Sequence, residues 1–196
     1  MQQFSFDFRD PLFDLAGRQI GVQIITFENT YGIDPDLVSR GTMPNAALEA
    51  WGLRWAGGQE KCPGYVGVEW DGDERSIRLR VRARHEKKIR CVKIIVAGMP
   101  AGLVFGPRLQ ASALPAAGTI MGWPRGGLQM PIAAVRDLAD DGEGWVCFRS
   151  LDDRVREKRI AVYRSGDRAV VELIHEDAGH EMTNEVEAPE WEIFRG

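Results

Sequence analysis

The amino-acid sequence predicts an all-β protein: an antiparallel β-sandwich with a long Gly/Pro-rich apolar loop region and at most one or two short helices. Three observations carry this. Apolar and polar residues alternate with period two, most cleanly in "RSIRLRVRAR" (75–84). There Ile77, Leu79, Val81 and Ala83 take one parity, and Arg78, Arg80, Arg82 and Arg84 the other. Turn-forming residues separate such runs at short intervals. Helix signals are few, and many short strands with turns between them favour a sandwich over a sheet covered by helices.

In chain order, Phe4, Phe6 and Phe8 share one face of "FSFDF". "IGVQIITFEN" (20–29) is apolar and β-branched. "DPDLVSRG" (34–41) suits a short turn of helix. "NAALEAWGLRWAGG" (45–58) is ambiguous: Asn45 suits an N-cap and Ala, Leu and Glu favour helix, but Gly52 interrupts it. "GYVGVEW" (64–70) stops at the turn "DGDE", and the arginine strand follows. "IRCVKIIVAGM" (89–99) is nearly continuous in apolar residues, as a strand buried on both faces would be. "LQMPIAAV" and "GWVCFRSL" are further strand candidates, although "IAAVRDLADDG" also admits a helix. "RIAVYRSGDRAVVELIHE" (159–176) reads as a hairpin around Ser165-Gly166-Asp167. "EVEAPEWEIFRG" is the last strand-like run, and its lack of a polar tail suggests a domain cut from something larger.

The 196 residues suit a single β-sandwich domain spanning 1–196 and bury a core without staples. The net charge of −4 argues against a general nucleic-acid binder. "MQQFSFDFRD" has no basic region followed by an apolar run, so the expected compartment is the cytoplasm. No stretch is long and apolar enough to suggest a membrane span. Cys62, Cys91 and Cys147 are scattered, which fits reduced thiols and gives no zinc framework.

Charge is distributed unevenly. Residues 75–93 hold nine Lys or Arg against one acid, Glu86, whereas 171–196 hold eight acids against one base, Arg195. Opposite charges on neighbouring strands stabilise by roughly 0.2–1 kcal/mol per pair. The arginine row is therefore expected beside an acidic strand or projecting into water. A site for a polyanion or an acidic polysaccharide is the alternative, since Arg suits bidentate carboxylate contacts.

Residues 94–134 carry only two formal charges, Arg108 and Arg125, each after a proline. This stretch either folds back over the core or presents an apolar surface to a partner. Arg108, Trp123 and Arg125 offer an aromatic platform and two donors for an anionic or hydroxylated ligand. Trp51 and Trp55, four apart, share a face in either a strand or a helix; they either fill the core or stack on sugar rings.

Catalytic signals are sparse. "HEDAGHE" clusters His175, Glu176, Asp177, His180 and Glu181. Its histidines are five apart rather than four, and Gly179 lies between them, so it is no HExxH helix. The cluster is either an exposed polar loop or a weak metal candidate through His175, Asp177 and His180. His85 lies on the apolar parity of its strand and reads as a structural histidine. No GxSxG, P-loop or dinucleotide fingerprint is present, and no cofactor is expected.

Five segments together, "WGLRWAGGQE" (51–60), "HEKKIRCVKIIVAGMPAG" (85–102), "DRVREKRIAVY" (153–163), "VELIHEDA" (171–178) and "VEAPEWEI" (186–193), carry a resemblance. They resemble the N-terminal β-sandwich region of large bacterial carbohydrate-active proteins of glycoside hydrolase or polysaccharide lyase type. The resemblance implies a non-catalytic accessory module that packs on a catalytic domain; the residues add an expected packing surface at 94–134 and glycan contact through Trp51, Trp55 or Trp123. Two other readings stand beside it. One is a self-contained metal-dependent enzyme on a sandwich or cupin-like barrel. The other is a stand-alone interaction protein forming homo-oligomers through 94–134.

Overall fold

The computed structural model describes residues 2–5, 12–15, 18–28, 30–32, 34–36, 65–73, 75–106, 110–123, 131–136, 144–154, 156–176 and 183–196. These residues form an all-β structure of antiparallel sheets. In chain order the strands are β1 (Gln2–Ser5), β2 (Leu12–Leu15), β3 (Arg18–Thr26), β4 (Thr30–Gly32), β5 (Tyr65–Gly72), β6 (Ser76–Arg84), β7 (Ile89–Pro100) and β8 (Leu103–Phe105). There follow β9 (Ala111–Ala113), β10 (Thr119–Trp123), β11 (Ile132–Arg136), β12 (Trp145–Ser150), β13 (Lys158–Ser165), β14 (Arg168–Glu176), β15 (Glu185–Glu187) and β16 (Trp191–Arg195). Among the described residues the only helical backbone is that of Pro35 and Asp36.

The first sheet runs β1-β5-β6-β16-β12-β11-β8-β9, with β15 also paired to β6. The second runs β10-β13-β14-β7-β3-β2, with β4 also paired to β3. One apolar cluster joins the two. Ile77, Leu79, Val81, Phe148, Trp191 and Ile193 come to it from the first sheet; Ile20, Val22, Ile94, Ile160, Val171 and Leu173 come from the second. Two sheets sharing one interior make a sandwich.

The alternation seen in the sequence is the mechanism. Along β6 the aliphatic parity points inward and is buried, while the arginine parity points outward. Truncating Leu79, wholly buried, would cost about 2–5 kcal/mol.

Strand β7 sits at the centre of the second sheet between β14 and β3. It is buried on both faces, with Ile94 and Val96 inward and Ile95 and Ala97 outward. Two irregularities let residues three apart both face the core. The pairing with β3 shifts where Arg90 is extra, so Ile89 and Val92 both point inward. The pairing with β14 shifts at Gly98 (φ +81°), so Val96 and Met99 both do so.

The predicted hairpin is β13–β14, closed by Gly166 and Asp167 with Gly166 at φ +63°. At the predicted "DGDE" turn, Asp73 Oδ1 accepts the backbone N–H groups of Arg75 (2.7 Å) and Ser76 (3.0 Å). These two bonds hold the Asp73 carboxyl below its usual range. Where the sequence also admitted a helix, Ile132–Arg136 is instead strand β11, its Ala133, Ala134 and Val135 buried. The segments 37–64 and 177–182 lie outside the described residues.

Residues 94–134 contain more strand than a loop region would. They supply the end of β7, all of β8, β9 and β10, and most of β11. Strand β9 ends the first sheet and β10 ends the second. The corner Leu114–Gly118 joins them, with Gly118 N–H on the Pro115 carbonyl at 2.9 Å. Among its described residues the stretch is part buried and part exposed. Leu114 and Met121 enter the core, whereas Ala111, Ser112, Ala113 and Ile120 are exposed.

Candidate functional site

The arginine row faces the protein's own carboxylates. Strands β15 and β16 pair in tandem along β6, bringing Glu187 opposite Arg82 and Glu192 opposite Arg78. On the other side β5 brings Glu69 opposite Arg80. Arg80 Nη2 donates to Glu190 at 2.7 Å, and Arg82 lies 3.4 Å from Glu69 and 3.6 Å from Glu187. Glu192 is the hub. Its Oε1 accepts from Ser76 Oγ (3.1 Å) and Arg78 Nε (3.3 Å), and its Oε2 from Arg149 Nε (2.5 Å). Burial pushes its pKa up, but the Arg149 and Ser76 hydrogen bonds outweigh burial and the net shift is downward. Arg149 also lies over the Phe194 ring, 5.0 Å from its centroid.

A second polar cluster occupies the outer face of the second sheet. It comes from the opposite parity of β13 and β14 and from Arg90 and Lys93, the two charges of β7. Lys93 Nζ donates to Glu172 at 3.0 Å, and the Tyr163 hydroxyl donates to the same carboxylate at 3.2 Å. Ser165 Oγ donates to buried Asp36 at 2.5 Å. Glu176 accepts from Arg90 at 2.9 Å and from Arg159. Between these pairs lie Ile25, Cys91, Ala161 and Ile174.

The electrostatics here suit hydrogen bonding rather than proton abstraction. Burial, then the negative charges of Glu172 and Asp34, push the Tyr163 phenol well above its ordinary value. Burial likewise pushes the Cys91 thiol up to about 12. Both stay protonated at neutral pH, so neither serves there as base or nucleophile.

A third cluster closes one end of the sandwich. Lys158 is buried and its ammonium donates to the Asp152 carbonyl (2.7 Å), Asp152 Oδ2 (2.8 Å) and the Arg154 carbonyl (2.8 Å). Arg156 donates twice to Asp152 and once, at 2.5 Å, to the Glu187 carbonyl of the other sheet. Burial alone would raise the pKa of Asp152; the hydrogen bonds from Arg156 and Lys158 overcome that and bring it down to about 2. All three donors of Lys158 are used, so this cluster ties the connection β12–β13 down.

No family model, curated protein or solved structure matches the chain.

The residues expected to carry function are distributed as follows. Trp51, Trp55, Arg108 and Arg125 lie outside the described residues, as do Asp177 and His180. Trp123 is the last residue of β10, and its Cα partner is Lys158, whose own partner on β14 is His175. The β-ladder thus aligns Trp123 and His175 on one rung, two candidates from unrelated readings. His175 is buried on the core parity, and its Nδ1 bonds the Glu157 carbonyl at 2.9 Å, so that nitrogen carries the proton. Among the described residues no three His, Cys, Asp or Glu side chains converge as a metal site. His85 is also buried. Its Nδ1 accepts the Lys87 N–H at 2.9 Å, and burial lowers its pKa.

Three participants are not singled out by the sequence: Tyr163, Arg149 and Asp152. The hairpin's outer parity (Arg159, Tyr163, Glu172, Glu176) is a legible signal for the first. Arg149 has none, because its partner Glu192 is defined only by which strands become neighbours, whereas Asp152 meets Arg156 and Lys158, four and six residues further on.

Proposed function

We propose that the chain is a non-catalytic β-sandwich accessory module of a carbohydrate-active protein, packing on a catalytic domain through residues 94–134 and contacting glycan. One observation carries the proposal. The uncharged stretch supplies the terminal strand of both sheets, β9 and β10, and a short corner joins them. Open strand edges are normally blunted with charge, especially Lys. Here the exposed edge residues are Ala111, Ser112, Ala113 and Ile120, which suits a side covered by a partner. The closed, internally neutralised clusters elsewhere support the non-catalytic part of the reading. Free Cys91 and Cys147 suit a cytoplasmic setting. No helix among the described residues is long and apolar enough to cross a membrane.

The test is to incubate the purified chain with a panel of neutral and acidic glycans and measure new reducing ends and unsaturated products. The expected outcome is no turnover. Robust turnover by the chain alone overturns the reading.

A further inference from the structure

The pairing of the arginine row has a vertical order. The carboxylate of Glu192 is sunk, its side chain 6% exposed, while the side chains of the two arginines that hold it are 54% (Arg78) and 47% (Arg149) exposed. These three residues form one rung across β6, β16 and β12. Adjacent strands lie about 4.8 Å apart, so the two arginine Cα atoms stand roughly 10 Å apart across the buried acid. Arg78 is anchored through Nε and Arg149 through Nε and Nη2. Among the described residues no acceptor meets the Nη groups of Arg78 or Nη1 of Arg149. The Phe194 ring packs against the Arg149 guanidinium, its centroid 5.0 Å away. The anchoring acid thus preorganises two outward forks, the arrangement that recognises planar oxyanions.

The surroundings select the ligand. Exposed Asp71 is the Cα partner of Arg78 on β5, and Glu187, 39% exposed, lies between Arg80 and Arg82. A polymer with dense charge, such as a nucleic acid, meets these acids as well as the arginines. A chain with isolated carboxylates among hydroxyl groups does not. We infer that the Arg78–Glu192–Arg149 rung is a binding site for the uronate carboxylate of a sparsely charged acidic glycan. The inference rests on the accessory-module reading and names the glycan class it contacts.

Affinity electrophoresis of the full chain tests this, with gellan in the gel as a glycan whose uronates are separated by neutral sugars. Gellan is expected to retard the chain, and carboxyl-reduced gellan to leave its mobility unchanged. The variant R78K/R149K keeps two cations on Glu192 but removes the forks; it should bind gellan about tenfold more weakly, roughly 1.4 kcal/mol. Its thermal unfolding reports whether the sheet is intact. Equal retardation by reduced gellan, equal retardation of a folded R78K/R149K, no retardation at all, or stronger binding to heparin or DNA would each overturn the site. Reducing-end release measured on the same samples judges the module reading separately: turnover with fork-dependent retardation removes that reading and leaves the site standing.

Discussion

Asp152 shows how a single carboxylate holds a connection in place. Its two neighbours, Arg156 and Lys158, are themselves largely buried, and Arg156 reaches across to the Glu187 carbonyl of the other sheet. Replacing it with Asn removes the charge while leaving Lys158 buried. The expected loss at neutral pH is about 2 kcal/mol, measured by urea unfolding. The pH dependence follows from the sign of the shift. The folded pKa of about 2 lies below the ordinary 3.8, so the contribution is complete above the unfolded value. It fades as pH falls through the folded one. Wild type and Asp152→Asn should therefore differ fully at pH 6 and converge in acid below pH 2. A difference that persists there would show that packing, not charge, is what Asp152 supplies. Glu192 shifts in the same direction, so its anchoring of Arg78 and Arg149 weakens in acid too.

At the level of strands, most of the elements are legible in the sequence. Period-two alternation marked β6, and near-continuous apolarity marked β7 as buried on both faces. The Gly166-Asp167 turn marked the β13–β14 hairpin. What could not be read was neighbourhood. That β16 inserts between β6 and β12 depends on pairing between distant segments, and this pairing makes Glu192 a hub for Arg149. Glycine and proline in 94–134 suggested a loop because such residues turn the chain; here they punctuate short strands. Gly118 illustrates the constraint. It has φ +73°, and a Cβ there would stand 2.8 Å from the Val162 carbonyl oxygen and 2.9 Å from Tyr163 Cβ. Gly118→Ala should cost about 1–3 kcal/mol in urea unfolding, because both the backbone conformation and the close approach are violated. A neutral effect would mean that the corner between the two sheet edges relaxes freely.

For the molecule as a whole, charge and apolarity are segregated. Ion pairs cover the outer face of the first sheet and part of the second, whereas the side formed by β8, β9 and β10 carries no charged side chain among its described residues. Ile120, 66% exposed, lies on the terminal strand of one sheet. Without its partner such a side should self-associate. Sedimentation at rising concentration is expected to show reversible association of the wild-type chain and a monomer for Ile120→Lys, with unfolding midpoints alike. A wild-type chain that stays monomeric throughout would show that its own residues cover these edges.

The place of β16 has a further consequence, for synthesis. It lies in the interior of its sheet although it comes last in order among the described strands, flanked by β6 on one side and β12 on the other. During translation the arginine strand emerges long before the acidic segment that neutralises it. Until Trp191–Arg195 leaves the ribosome, the first sheet exists as two unjoined halves. Folding is thereby committed to a late, long-range closure, slow by the measure of contact order. For that interval the cationic strand has only the acids of β5, Glu69 and Asp71, beside it.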